Sequence, residues 1–90
     1  MKEAEVWKYQ FPITDEFALT MKVGAQVLHV EAQNGIPTLW ALVDPKADLE
    51  RRLFSIVGTG HPTNLLAEQH VASFLQLDGS LVWHLFERKS

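Results

Sequence analysis

The chain has 90 residues, of which 47% are apolar, with eight basic and eleven acidic side chains and a formal charge of −3. That size makes one domain, residues 1–90, which buries about 60–65% of its unfolded surface. The composition supports a core and excludes a disordered chain, while the acidic balance argues against a non-specific nucleic-acid binder or a membrane-surface protein. There is no cysteine, so disulfides and thiolate metal sites are excluded. The opening residues lack the apolar centre of a secretory signal, and no apolar run approaches the roughly 20 residues that span a bilayer. The expected compartment is the cytoplasm.

After a polar lead-in, residues 5–11 alternate, with Trp7, Tyr9 and Phe11 on one face and Val6, Lys8 and Gln10 on the other. Period-two alternation of this kind reads as a strand. Residues 12–15, Pro-Ile-Thr-Asp, have turn chemistry. Residues 16–23 alternate again, with Phe17, Leu19, Met21 and Val23 on one face. Gly24-Ala25 makes a tight corner.

Residues 26–45, QVLHVEAQNGIPTLWALVDP, form the clearest unit. Asn-Gly suits a two-residue turn whose central residues both need positive φ, so the flanking runs read as a hairpin. The turn sets the register: Gln33 opposite Ile36, Val30 opposite Leu39, His29 opposite Trp40, Val27 opposite Leu42. One face then carries Leu28, Val30, Ala32, Leu39, Ala41 and Val43 as core, and the other carries Val27, His29, Glu31, Thr38, Trp40 and Leu42.

Pro45 stops the ladder, and the following KADLERR reads as a polar loop whose charges are solvated. Residues 52–58 are a fifth strand ending in Gly58-Thr59-Gly60-His61-Pro62. Residues 63–68 hold one short helical turn. Residues 69–77 and 80–87 flank Asp78-Gly79, a second hairpin signal, with Phe74 opposite Trp83, Ser73 opposite His84 and His70 opposite Glu87. Residues 64–77 also fit a helix with Leu66, His70, Val71 and Phe74 on one side, but the Asp-Gly turn demands a strand partner for residues 81–86. The expected fold is all-β: a small antiparallel meander barrel or sandwich of about seven strands.

A meander sorts the loops by end. One end collects residues 12–16, Asn34-Gly35, residues 58–68 and the chain after Glu87. The other collects Gly24-Ala25, residues 45–51 and Asp78-Gly79. Function favours loops on a rigid sheet, and the first end holds the unusual chemistry. Gly58-Thr59-Gly60-His61 is the sharpest local signal, because glycines let backbone N–H groups converge on an anion. It lacks the lysine and the long helix of a phosphate-binding loop. Thr59, Gly60 and His61, with Asn34 and Asp15, are the expected ligand-binding residues, an aromatic ring stacking on the ligand. Asp15 with His61 is also the candidate acid–base pair of a small hydrolase. His29 and Trp40 are expected at an interface. No metal site or cofactor is expected: His70 and His84 fall on opposite faces of their hairpin, far from a convergent ligand set.

The runs QNGIPTLWALVDP, IVGTGHP and LVWHLFE, with WKYQF and VGAQVLHV, resemble small uncharacterised proteins of tailed bacteriophages and prophages. The resemblance covers almost the whole chain. It implies a phage-encoded accessory protein that acts by binding, either blocking a host enzyme or sequestering a nucleotide immune signal, and it carries no catalytic residues. The function expected from both readings is a non-catalytic binding protein. It would be a homo-oligomer whose ligand is a host or phage protein or a small nucleotide-like anion. The alternatives are the His61/Asp15 hydrolase and a structural phage component assembling through strand edges.

Overall fold

A computed structural model describes residues 3–88. Seven strands follow one another: β1 Glu5–Gln10, β2 Glu16–Lys22, β3 Gln26–Gln33, β4 Ile36–Val43, β5 Leu49–Gly58, β6 His70–Gln76 and β7 Leu81–Arg88, with a single 3-10 turn at Ala67–Gln69. The helical alternative over residues 64–77 is thereby overturned, since the Asp-Gly turn holds β6 against β7. The all-β expectation stands as an open sandwich and not a barrel: a three-stranded sheet ordered β1-β4-β3 faces a four-stranded sheet ordered β2-β5-β7-β6.

The connectivity differs from a meander. Only β3–β4 and β6–β7 are hairpins between sequence neighbours, while β1 pairs with β4, β2 with β5 and β5 with β7. The chain crosses between sheets after β1, β2 and β4, so each sheet is stitched from distant segments. Every pair is antiparallel, so β5 and β6 run in the same direction with β7 between them. Residues 59–69 must therefore travel back along the length of the sheet. This places Asp78-Gly79 at the same end as Asn34-Gly35 and sends Glu87 and Arg88, the end of β7, to the opposite end, both contrary to the expected sorting; residues 89–90 lie outside the described residues. Gln76 Nε2 donates to Gly35 O at 3.4 Å, tying the two hairpin tips together.

Both hairpins keep the expected register near their turns and lose it further out. Gln33 pairs with Ile36, Val30 with Leu39 and His29 with Trp40, but Val27 pairs with Ala41 and not with Leu42. Leu28 is the extra residue of a β-bulge, which reverses the side-chain alternation beyond it. Val27 accordingly packs against the core, whereas Leu28, expected inside, is 55% exposed. In the second hairpin Phe74 meets Trp83 and Ser73 meets His84, but His70 pairs with Phe86 and not Glu87, with Val71 as the extra residue. Asn34 and Gly35 have φ of 52° and 81°, as the Asn-Gly turn requires.

The core lies between the sheets. Leu39, Ala41, Val43 and Val30 from the smaller sheet meet Met21, Phe54, Ile56, Phe74 and Leu85 from the larger. Phe17 stacks between Phe11 and Phe54, at centroid separations of 5.0 and 5.4 Å. Trp7, Tyr9 and Trp83 are half-buried around this cluster, while Trp40 lies outside it.

One end of the core is closed by charge. Leu49–Arg51, expected in the loop, belong to β5, so the alternation that buries Phe54 and Ile56 turns Arg52 inward. Its guanidinium forms a two-pronged contact with Glu87 (2.6 and 2.7 Å) and donates a third hydrogen bond to Ala25 O at 2.6 Å. The hydrogen bond to Glu87 raises the Arg52 pKa, against the smaller opposing effect of burial. Arg52 is thus a structural ion-pair residue and not the solvated charge expected.

Candidate functional site

Residues 59–69 do more than connect. In β5 Phe54 and Ile56 face the core, so Ser55 faces the other side, yet Ser55 is only 4% exposed. A strand buried on both faces needs a second cover. That cover is the returning segment. His61, Pro62, Thr63, Asn64 and Leu65 form one wall of a pocket of about 380 Å³, and Asp15, Glu16, Ser55, Ile56, Val57 and Arg88 complete it. Glu16 starts β2 level with Ser55, and Asp15 O accepts the Ile56 N–H at 3.2 Å. The ladder therefore places both acidic residues at the pocket. Arg88 on β7 reaches across β5 to Glu16 Oε1 at 2.5 Å.

Ser55 Oγ is the one side-chain atom among the described residues that is buried without a hydrogen-bond partner. Leaving a hydroxyl unsatisfied costs about 1–3 kcal/mol, so its retention here calls for an explanation.

The expected ligand residues divide. Asp15 and His61 share the Ser55 pocket, joined by Asn64. Thr59 and His61 share a second pocket of about 280 Å³ with Gly58 and Trp83. Gly60 lines neither, and its φ of 87° serves the bend. Asn34 is exposed at the first hairpin tip and lines none of these pockets; its neighbour Gly35 borders the larger groove between β3 and β6, about 710 Å³. That groove is the most spacious, but its Gln76 is already bonded to Gly35 O and to Trp83 Nε1–H.

The anion-cradle chemistry expected of Gly-Thr-Gly-His is largely engaged within the chain. The His61 N–H donates to Gly58 O at 3.1 Å, closing the turn. Thr59 Oγ1 lies 2.7 Å from His84 Nε2, and His84 Nδ1 lies 2.7 Å from Ser73 Oγ, which contacts His70 Nε2 at 3.1 Å. The bulge at Val71 therefore brings His70 to the same face as His84, where unbroken alternation put them on opposite faces. A neutral imidazole donates from one nitrogen and accepts at the other, so this hydroxyl–imidazole chain is self-satisfied in either direction. Among the described residues no group of three or more His, Asp or Glu side chains is placed to hold a metal ion.

Gly58 explains the position of the His61 ring. A Cβ built there would lie 3.1 Å from His61 Nδ1 and 3.3 Å from the Trp83 ring. Only glycine lets the imidazole fold back against the strand end.

His29 and Trp40, expected at an interface, lie on the outside of the smaller sheet with ring centroids 5.7 Å apart. His29 Nε2 is 2.6 Å from Glu31 Oε1. Around them Val6, Leu28 and Leu42 are exposed.

The sequence reading did not single out Ser55, Arg88, or the Arg52–Glu87 pair. For Ser55 a signal existed: one hydroxyl inside the otherwise apolar run Leu53-Phe54-Ser55-Ile56-Val57 reads as a strand covered on both faces. Arg52 and Glu87 are 35 residues apart, and no local pattern joins them.

A family described as a domain of unknown function, DUF7352, matches residues 2–90. The chain belongs to the DUF7352 family. The match extends over both hairpins and the returning segment, so the Ser55 pocket of this DUF7352 chain lies wholly inside the matched region. No curated protein and no solved structure matches it. No helix among the described residues is long and apolar enough to cross a membrane.

Proposed function

We propose that this DUF7352 chain is a binding protein for a small nucleotide-like ligand, held in the pocket under residues 61–65. The observation that supports this reading is Ser55 Oγ, buried and unpartnered in a pocket that also carries Asp15, His61 and Asn64. A heterocycle with donors and acceptors on one edge suits these groups: its amino group faces the Asp15 carboxylate, its ring nitrogen or carbonyl takes the Ser55 hydroxyl, and Asn64 offers both functions. Ile56, Val57, Pro62 and Leu65 supply the apolar walls. Arg88 is shared with an adjoining pocket that Arg51 also lines, beside Glu50 and the Arg52–Glu87 pair, and Arg51 is the guanidinium an attached phosphate would meet there. In the phage setting that the sequence resemblance implies, sequestering such a ligand is the biological act.

The test is a melting-shift panel of the common nucleosides, their 5′-monophosphates and inorganic phosphate, run on wild type, Ser55→Ala and Arg51→Ala. The expected result is a shift with at least one nucleoside, a larger one with its monophosphate, and none with phosphate alone. Ser55→Ala should reduce both shifts, and Arg51→Ala only the monophosphate increment. A panel with no shift, or a Ser55→Ala protein that responds like wild type, rejects the reading.

A further inference from the structure

Each sheet has two edge strands: β3 and β6 lie against one another on one side of the sandwich, which leaves β1 and β2 as the edges of the other side. Unpaired edges template association unless something deters it. The two differ in what they present.

In β2 the ladder to β5 uses the odd-numbered residues, as the flanking Asp15 O to Ile56 N and Val23 N to Asp48 O bonds show. The N–H and C=O groups of Glu16, Ala18, Thr20 and Lys22 therefore point away from β5, to the open edge. Thr14 Oγ1 and the Ala25 N–H occupy the two end carbonyls, Glu16 O and Lys22 O. Ala18 and Thr20, in the middle, keep both backbone groups directed outward.

We infer that β2 pairs antiparallel with β2 of a second copy, about a two-fold axis at Leu19. In that register Glu16 lies opposite Lys22 of the second copy, and Ala18 opposite Thr20, each pair occurring twice. Ala18 and Thr20 of the two copies exchange their outward backbone hydrogen bonds, and opposite side-chain charges face one another at both ends. Registers centred on Ala18 or Thr20 leave one charged end unpaired. On the core side Leu19, half-buried at the present edge, meets its own counterpart. Arg88 engages Glu16 through Oε1, and the second oxygen is the acceptor for Lys22 of the second copy. Lys22 Nζ, now donating to Ala47 O at 3.0 Å, turns outward to reach it.

The β1 edge is built against the same event. Its outward positions are Val6, Lys8 and Gln10, by the parity of the Phe11 N to Pro37 O bond. A two-fold pairing centred on Lys8 sets Lys8 against itself, and one centred on Trp7 or Tyr9 sets it against Val6 or Gln10, so no register of β1 brings opposite charges together as β2 does. The predicted assembly is accordingly a closed dimer through β2 with β1 left open, and it does not depend on the ligand proposal.

Sedimentation velocity over a micromolar concentration series tests this. Wild type is expected at twice the 10.2 kDa chain mass. Thr20→Pro removes an N–H that points to the open edge and none that bonds β5, so it should give a monomer with a nearly unchanged melting point. Glu16→Lys and Lys22→Glu should each be monomeric alone, because both ends then carry like charges. Mixed in equal amounts they should recover the dimer mass, since every end then has one lysine and one glutamate. A wild-type monomer throughout the series, a folded Thr20→Pro protein that stays dimeric, or a mixture that stays monomeric overturns the inference.

Discussion

Arg52 and Ser55 sit three positions apart on one strand, and face opposite sides of it. Arg52 points into the sandwich and is held by three hydrogen bonds, two to Glu87 and one to Ala25. Ser55 points under the returning segment and has none. The larger group, and the one harder to desolvate, is partnered; the small hydroxyl is not. Satisfied buried polar groups specify a fold, because each partner fixes another's place. An unsatisfied one contributes nothing to that specification.

The comparison breaks most visibly at the ion pair. Arg52→Met or Glu87→Leu alone strands a half-buried charge and should lower the unfolding free energy by about 2–3 kcal/mol in urea titrations. The double substitution should lose less than the sum, since two apolar groups leave no charge unpaired. If the two single losses simply add, the contact is decorative. Next in size is Gly58→Ala. The added methyl group must displace His61 or Trp83, at a cost of about 1–2 kcal/mol. It should also reduce any ligand-dependent melting shift, as His61 leaves the pocket wall.

Ser55→Ala should move the other way. Deleting a hydroxyl that bonds nothing removes a desolvation penalty, so the ligand-free protein should gain up to about 1 kcal/mol. A loss of that size instead would mean that Ser55 has a partner within the fold. The smallest effect is that of alkali. A guanidinium whose pKa is raised by folding contributes stability that is complete below its unfolded pKa and lost only as pH rises through the folded value. That window lies far into alkali, so Arg52 should add no slope to stability measured from neutral to mildly basic pH.

Much of the fold was legible because two glycine turns state their own register. Asn34-Gly35 placed His29 beside Trp40, and Asp78-Gly79 placed Ser73 beside His84. The bulges at Leu28 and Val71 were not legible. An extra residue in a strand costs no break in apolar pattern when both faces accept Leu or Val. The sheet order was also hidden, since β1–β4 and β2–β5 pairing is decided by which faces bury best together and by nothing within either segment. At the site, Asp15 and His61 were expected to meet and do line one pocket. Asn34 was grouped with them on the premise that loops alternate ends in a meander. The Asn34 turn does lie at that end, but it belongs to the smaller sheet, whereas the pocket is built on the larger one.

The long return after Gly58 has a kinetic corollary. β7 is the last strand in chain order, yet it occupies an interior slot between β5 and β6. Until it is synthesised and inserted, β6 has no hydrogen-bonded neighbour at all, and the larger sheet stops at β5. Such non-local closure belongs to slow folders, in the range of milliseconds to seconds. Deleting residues 81–88 would therefore strip β6 of its one hydrogen-bonded neighbour and β5 of one of its two, leaving the hairpin of β3 and β4 as the only pairing between adjacent segments among the described residues.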